Sequence, residues 1–187
     1  MAVPKSFPDV TDPASGFRLR TPGPRDGARI WGLVRDSGTL DLNSCYLYLL
    51  LVRDFAATCV VAERECDEGK ESSDPGELLG FVSAYLRPEQ SDTVFIWQVG
   101  VAEAARRQGL ARRMLDHLLA RDICRSVRYL EATVSESNAA SRRLFQSLAR
   151  DYAAPHGYST GFTSDMFGSA QHEPEPLLRI GPFSKSV

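Results

Sequence analysis

The feature of this sequence that most constrains its fold is a strand, a short loop and an amphipathic helix in direct succession. Residues 93–101 are rich in β-branched and aromatic side chains, which indicates a strand. The loop after it contains Gly109, and leucine and methionine then recur at helical spacing across residues 110–121. A strand that leads through a short loop into a helix is typical of domains that mix helices with a sheet.

Hydrophobic periodicity extends this arrangement over the whole chain. It predicts, in order, a strand, two helices, three strands, a helix, a strand, a helix and a strand. The predicted elements span residues 17–20, 25–35, 43–55, 58–62, 78–86, 93–101, 110–121, 127–134, 138–150 and 177–180. A polar hairpin loop is expected at 63–77, and irregular chain after residue 150. We therefore expect a single α+β (mixed α/β) domain over residues 17–183, with a disordered tail at 1–16 and a short tail at 184–187.

Composition and charge exclude several classes of function. A formal net charge of −2 on 187 residues gives no basic footprint of the kind that binds nucleic acid. The longest apolar run, residues 46–52, is far too short to cross a membrane. The four cysteines form no C-x-x-C pair and the three histidines lie apart from them. We therefore expect no metal site, no disulfide framework and a cytoplasmic location.

The loop before residue 110 has the chemistry of an anion site. A helix N-terminus presents unpaired N–H groups and the positive end of the helix dipole. Gly109 and the small Ala111 allow the backbone to approach a ligand closely, and Arg106 and Arg107 supply positive charge. The pattern Arg106-x-x-Gly109-x-Ala111 can therefore wrap a pyrophosphate, although an ordinary turn with solvated arginines also fits these residues.

The elements on either side of this loop favour the anion site. A strand ending in Trp97-Gln98-Val99-Gly100-Val101 precedes the loop, and a strand, Asn138 and a second helix follow it. This layout, over about residues 78–148, resembles the GNAT superfamily of acetyl-CoA-dependent N-acetyltransferases. The resemblance implies acetyl-CoA as cosubstrate and a mixed, mostly antiparallel sheet flanked by helices, splayed around 93–101 and 127–134 to admit the pantetheine arm. The residues it implies for acetyl-CoA are Val99, Val101, Arg106, Arg107, Gln108, Gly109, Leu110, Ala111, Arg112, Asn138 and Phe145.

One of these positions departs from the GNAT pattern. Many members carry a tyrosine in the second helix that protonates the leaving thiolate, and Phe145 stands at the matching position. Phenylalanine cannot donate a proton, so another group or water must do so, or the thiolate leaves unprotonated. The same departure keeps open a different class of function, an acyl-CoA-binding sensor without catalytic activity.

An amine acceptor must lose a proton before it attacks a thioester. An alkyl ammonium has a pKa near ~10.4, so reaching its neutral form at pH 7 costs roughly 4–5 kcal/mol. Glu131 lies within the apolar strand predicted at 127–134, where a carboxylate is costly unless it is paired or used. Alternation places Tyr129, Glu131 and Thr133 on one face. Glu131 is therefore our candidate base, with an edge residue that faces solvent or a partner's arginine as the alternative.

Further segments share a pattern with a narrower family. They are residues 40–46 (LDLNSCY), 95–99 (FIWQV), 109–115 (GLARRML), 134–145 and 177–183 (LLRIGPF). They resemble the L-2,4-diaminobutyrate acetyltransferases of ectoine biosynthesis over about residues 17–183, with the loop at 66–77 outside the match. The resemblance implies acetylation at the γ-nitrogen, giving N4-acetyl-L-2,4-diaminobutyrate, and a homodimer.

The substrate of that family carries one carboxylate and two ammonium groups. Asp41 and Glu131 are candidates to hold the ammonium groups. The remaining candidates for substrate contacts are Tyr46, Trp97, Thr133 and His172. On sequence alone Asp41 also fits a helix N-cap, Trp97 a core residue and His172 a surface residue.

Other reactions remain open at this point. Acetylation of another small amine, such as a polyamine or an amino sugar, would use the same cofactor loop. An acetyltransferase that modifies proteins would need an open peptide groove, which nothing in the sequence indicates. We expect direct attack of the amine in a ternary complex, because Cys45 lies near Asp41 but no histidine partner for it is evident.

Overall fold

The structure is a computed structural model that describes residues 10–12, 16–38, 40–64, 76–168 and 172–184. Its strands are β1 (Val10–Asp12), β2 (Phe17–Arg20), β3 (Val60–Arg64), β4 (Leu78–Arg87), β5 (Gln90–Val101), β6 (Tyr129–Thr133), β7 (His156–Phe162) and β8 (Glu175–Ile180). Its α-helices are α1 (Asp26–Ser37), α2 (Cys45–Asp54), α3 (Leu110–Leu119) and α4 (Ala139–Asp151).

The strands form one mixed sheet in the order β1-β2-β3-β4-β5-β6-β8-β7. Strands β5 and β6 are parallel, whereas β1–β2, β2–β3, β3–β4, β6–β8 and β7–β8 are antiparallel. The predicted class, a mixed and mostly antiparallel sheet with helices, is therefore confirmed. Contacts divide the chain into two compact units: a first unit up to residue 84 together with 98–123, and a second unit of 85–97 together with residues from 124 onward.

Local sequence signals mark the end of α1 and the start of α2 in the first unit. Helix α1 ends at Gly38, which adopts a left-handed conformation with φ 61° that glycine allows at little cost. Helix α2 begins after Ser44, whose hydroxyl accepts a hydrogen bond from the N–H of Leu47 at 3.4 Å. The sequence placed the start of this helix at Asn43, with Asp41 as a possible cap, but the helix begins at Cys45 and Ser44 is its cap.

Gly100 in β5 allows a close approach within the first unit. A Cβ atom placed on it would lie 2.3 Å from the Phe81 ring and 3.2 Å from the Leu33 side chain. Since Phe81 is fully buried, any larger residue at position 100 would displace the core. Packing therefore requires glycine at position 100.

Four charged side chains, which we call the first-unit ion cluster, join α1 to β2 and β3. Arg20 binds both Asp26 (2.7 Å) and Glu63 (2.6 Å), and Arg29 binds the same two carboxylates at 2.9 and 2.6 Å. Asp26 also accepts from the N–H of Gly23 at 2.8 Å. Two positive and two negative charges therefore balance within one contact network.

The second unit contains the point where two parallel strands separate. Strand β5 pairs with β6 only from Thr93↔Tyr129 to Phe95↔Glu131. Strand β6 pairs with β8 from Leu130↔Ile180 to Thr133↔Leu177, two residues past its last pair with β5, while β5 continues to Val101. The expected splay of these strands is thus confirmed. Helix α4 follows Asn138, whose Oδ1 accepts from the N–H of Ser141 at 3.0 Å.

Two strands lie where the sequence predicted none. Val10–Asp12 pairs with β2, although it lies in the stretch expected to be a disordered tail. His156–Phe162 pairs with β8, although it was expected to be irregular. Its residues are almost all exposed and two of them are glycine, so no apolar alternation marks the strand. The expectations for residues 1–9, 13–15, 65–75 and 185–187 lie outside the described residues.

Candidate active site

The predicted cofactor loop is an exposed turn that opens directly onto α3. Gly109 precedes the helix with φ 75°, and Arg107 also has a left-handed backbone with φ 63°. No side chain caps the helix, and its first intrahelical bond runs from the N–H of Arg113 to the carbonyl of Gly109 at 3.1 Å. The N–H groups of Leu110 and Ala111 precede that bond, so they have no intrahelical acceptor and are directed towards the loop.

The side chains of this loop are held by short local contacts. Arg106 Nε donates to the carbonyl of Val101 at 3.3 Å, and Gln108 Nε2 donates to the carbonyl of Ala104 at 3.1 Å. Arg112 pairs with Asp116 one turn later, at 3.0 Å. Val101 and Arg106 also line a cleft of about 470 Å³ in the first unit. Its other lining residues are Arg29, Gly32, Leu33, Asp36, Ser37, Leu78, Ala102 and Glu103.

The segment that carries Asp41 is fixed to β5 by residues that the sequence did not indicate. Tyr48, which is buried, donates its hydroxyl to Gln98 Oε1 at 3.0 Å. That bond directs Gln98 Nε2 to the backbone carbonyl of Asp41, also at 3.0 Å. Trp31 Nε1 holds the carbonyl of Asn43 at 3.1 Å. The carboxylate of Asp41 is left exposed by these contacts, and Tyr46 is 65% exposed.

Glu131 is buried between two arginines in the second unit, and we call these three residues the second-unit ion cluster. Arg87 Nη1 donates to Oε2 at 2.8 Å and Arg179 Nη1 donates to Oε1, while Glu131 itself is 2% exposed. The Arg179 guanidinium also lies 3.8 Å above the Tyr129 ring. Both oxygens of Glu131 are therefore paired with arginines, whereas a catalytic base needs an oxygen directed at its substrate. The prediction that Glu131 is the catalytic base therefore does not fit this geometry.

A second carboxylate in the same unit is better placed than Glu131 for contact with a ligand. Thr133 Oγ1 donates to Glu175 Oε2 at 2.5 Å, which leaves Oε1 of this half-buried side chain available. The sequence analysis identified Thr133 but missed Glu175. The signal that could have found it is its position three residues after His172, at the start of β8.

The remaining predicted residues of the second unit differ in accessibility. Trp97 and His172 are half-buried, and the His172 ring stacks on Phe167 at 3.7 Å between ring centroids. Asn138 is exposed. Phe145, on α4, is only 3% exposed, so its ring is buried.

The comparisons with known proteins agree with this fold. The acetyltransferase (GNAT) family matches the chain over residues 30–149. This chain belongs to that family of acetyltransferases.

Within the family, similar proteins have a more specific name. L-2,4-diaminobutyric acid acetyltransferases from Marinococcus halophilus and Bordetella parapertussis are each 49% identical to this chain. The first match covers 88% of this chain and 89% of the relative, and the second covers 94% and 90%. A solved diaminobutyrate acetyltransferase from Paenibacillus lautus, in complex with L-2,4-diaminobutyric acid and coenzyme A, is 44% identical with a TM-score of 0.83. That match covers 92% of this chain and 99% of the solved one.

Proposed function

We propose that this chain transfers the acetyl group of acetyl-CoA to the γ-amine of L-2,4-diaminobutyrate. The product is N4-acetyl-L-2,4-diaminobutyrate, an intermediate of ectoine biosynthesis. The observation that carries the proposal is 44–49% identity to proteins of that name over about nine tenths of both chains.

The loop before α3 fits the pyrophosphate of acetyl-CoA. Its uncapped N–H groups and its two exposed arginines, Arg106 and Arg107, supply hydrogen bonds and positive charge. A Cβ atom at Gly109 would meet nothing within 4 Å, so the turn is open to a ligand. Asn138 uses its Oδ1 as the cap of α4, which leaves its Nδ2 to donate to the pantetheine end.

The acceptor amine is held by the carboxylates of Asp41 and Glu175, and Glu131 is not used. Asp41 offers an exposed carboxylate on a segment that Gln98 fixes, and Glu175 offers its free oxygen beside Thr133. Each can hold an ammonium group through a charge-assisted hydrogen bond. Glu175 or His172 then takes the proton that the attacking γ-nitrogen releases, because both carry a proton-accepting atom on a half-buried side chain.

Transfer proceeds by direct attack of the amine on the thioester carbonyl. The C–N bond forms as the C–S bond breaks, and the sulfur leaves with the electron pair. An acyl-enzyme on cysteine is disfavoured: burial raises the pKa of the Cys59 thiol to about 11, so it remains protonated at neutral pH. Cys124 is also buried, and Cys45 is half-buried.

The test is an assay of thiol release with a panel of amines. Purified protein and acetyl-CoA are mixed with L-2,4-diaminobutyrate, a polyamine or an amino sugar, and the product is identified by NMR. We expect kcat/KM for diaminobutyrate at least about 100-fold above the others, with the acetyl group on N4. Preference for a polyamine or amino sugar would overturn the substrate. Tight coenzyme A binding without turnover of any amine would instead indicate an acyl-CoA-binding sensor, the alternative suggested by Phe145 in place of tyrosine.

We also propose a cytoplasmic homodimer. Large apolar side chains are exposed in each unit, which supports a partner surface. They include Leu42, Tyr46, Leu49 and Phe55 in the first unit, and Tyr158, Phe162, Met166 and Phe167 in the second. Light scattering coupled to size-exclusion chromatography would give twice the chain mass of 20.6 kDa if the dimer is correct.

The thiols of Cys59 and Cys124 are free, which supports a location in the reducing cytoplasm. No helix within the described residues has the length and apolar character to cross a membrane.

A further inference from the structure

A carboxylate outside the proposed catalytic set is bound to the turn that precedes α4. Glu173 Oε1 accepts from the backbone N–H of Ser137 at 2.9 Å, and Oε2 accepts from the Ser137 hydroxyl at 2.5 Å. Hydrogen bonds from Ser137 also hold the pKa of Glu173 below its ordinary value. One serine therefore binds both oxygens of this carboxylate, and we call the pair the Glu173–Ser137 clamp.

The clamp is one of several links between the same two stretches of chain. Residues 172–176 are also joined to 133–137 by the bond from Thr133 to Glu175, and by the N–H of Val134 to the carbonyl of Pro176 at 3.0 Å. Of these links, the clamp involves the residue directly next to His172 in sequence. It therefore fixes the backbone at the point where that ring is attached.

The backbone of Glu173 in turn determines the state of His172. His172 Nδ1 lies 2.7 Å from the carbonyl oxygen of Glu173. A carbonyl oxygen can only accept a hydrogen bond, so the proton of the neutral imidazole resides on Nδ1 and Nε2 carries the lone pair. The contact joins neighbouring residues, so it depends on the backbone torsion angles between them. Stacking on Phe167 holds the plane of the ring.

We propose that Glu173 is a positioning residue for the acceptor amine, because its clamp on Ser137 keeps His172 in the Nδ1–H tautomer with Nε2 free to accept. This inference rests on the proposed function, which gives His172 an ammonium group to receive. A lone pair on Nε2 can accept a hydrogen bond or a proton from that group, whereas the opposite tautomer would present an N–H to it. Glu173 thus acts through His172 and does not touch the substrate.

The direct test is the tautomer of His172, measured by ¹⁵N NMR of histidine-labelled full-length protein. Loss of one signal set in His172→Asn assigns the ring among the three histidines. In the unchanged protein we expect a protonated Nδ1 and an unprotonated Nε2. In Glu173→Gln and in Ser137→Ala we expect the two nitrogens to move towards averaged values. Glu136→Gln removes a neighbouring, exposed carboxylate from the same turn and is the matched control.

Kinetics supply a second readout that a purely structural role would not produce. Glu173→Gln should raise KM for diaminobutyrate about tenfold, because His172 Nε2 then no longer accepts a charge-assisted hydrogen bond from the ammonium group. The affinity for coenzyme A should stay within about twofold. Glu136→Gln should change neither. If the His172 signals are the same in Glu173→Gln and the unchanged protein, the inference is overturned, as it is if coenzyme A affinity falls as much as KM rises. The NMR result stands even if diaminobutyrate is not the substrate, so the two failures are distinguishable.

Discussion

The two ion clusters of this protein contain the same kinds of side chain in different proportions. The first-unit cluster has two arginines and two carboxylates, and its arginine side chains are only 18% and 22% exposed. The second-unit cluster has two arginines for one carboxylate, and Arg87 and Arg179 are 38% and 39% exposed. The balanced cluster is enclosed, whereas the unbalanced one leaves its surplus positive charge in contact with water. Charge balance thus matches the degree of burial, as the cost of desolvation requires.

The largest effect is expected from Asp26→Asn in the first-unit cluster. The change leaves Arg20 and Arg29 with a single carboxylate in a mostly enclosed site. Breaking a buried pair of this kind costs about 3–5 kcal/mol of the free energy of unfolding. Urea unfolding monitored by circular dichroism would measure it. A loss no greater than that of an exposed pair would show that the cluster is not a stabilising contact.

A smaller effect is expected from Glu131→Gln in the second-unit cluster. Its arginines can turn to water, so the loss should be about 2 kcal/mol, below that for Asp26→Asn. Removal of a true general base lowers kcat by about 10²–10⁴-fold, whereas here kcat per folded molecule should fall less than about tenfold. A larger fall in kcat, with an altered pH profile, would restore Glu131 as the base.

Acid should weaken the first-unit cluster gradually. Burial alone would raise the pKa values of Asp26 and Glu63, but hydrogen bonds from Arg20 and the charge of Arg29 outweigh it and lower both. A carboxyl whose pKa is lower in the folded state stabilises fully above its unfolded value, near ~4, and that contribution is lost as pH falls through the folded value. The stability difference between the unchanged protein and Asp26→Asn should therefore shrink below that pH. A constant difference down to the lowest accessible pH would contradict it.

The smallest effect is expected from Asp36→Asn. Its partner Arg35 is adjacent in sequence, and both side chains are more than half exposed. Exposed pairs of this kind contribute little, because water and salt screen them. The midpoint of urea unfolding should not move, which makes this variant the control for both clusters. A shift comparable to that of Glu131→Gln would remove the link between burial and stabilisation drawn above.

The parts of the structure that sequence could predict are those determined locally. The strand, loop and helix around Gly109 follow from residues that adjoin one another, and they were placed within a few positions. The role of Glu131 was not predictable, because its partners lie 44 and 48 residues away. The prediction of the α2 cap failed for another reason. Asp41, Asn43 and Ser44 are all good capping residues, and sequence alone does not choose among them. Glu175 was missed since it lies at the edge of a strand whose first two residues were not predicted.

The left-handed backbone of Arg107 lowers the stability of the folded protein, while its side chain contributes to the affinity of the loop for acetyl-CoA. Any residue with a Cβ atom pays roughly 1–2 kcal/mol to adopt this conformation, and glycine does not. Arg107→Gly would relieve that strain and remove a guanidinium group beside the uncapped helix end. Folding should be unharmed or slightly improved while acetyl-CoA is held less tightly. At this position, a gain in folding stability would therefore come with a loss of affinity for acetyl-CoA.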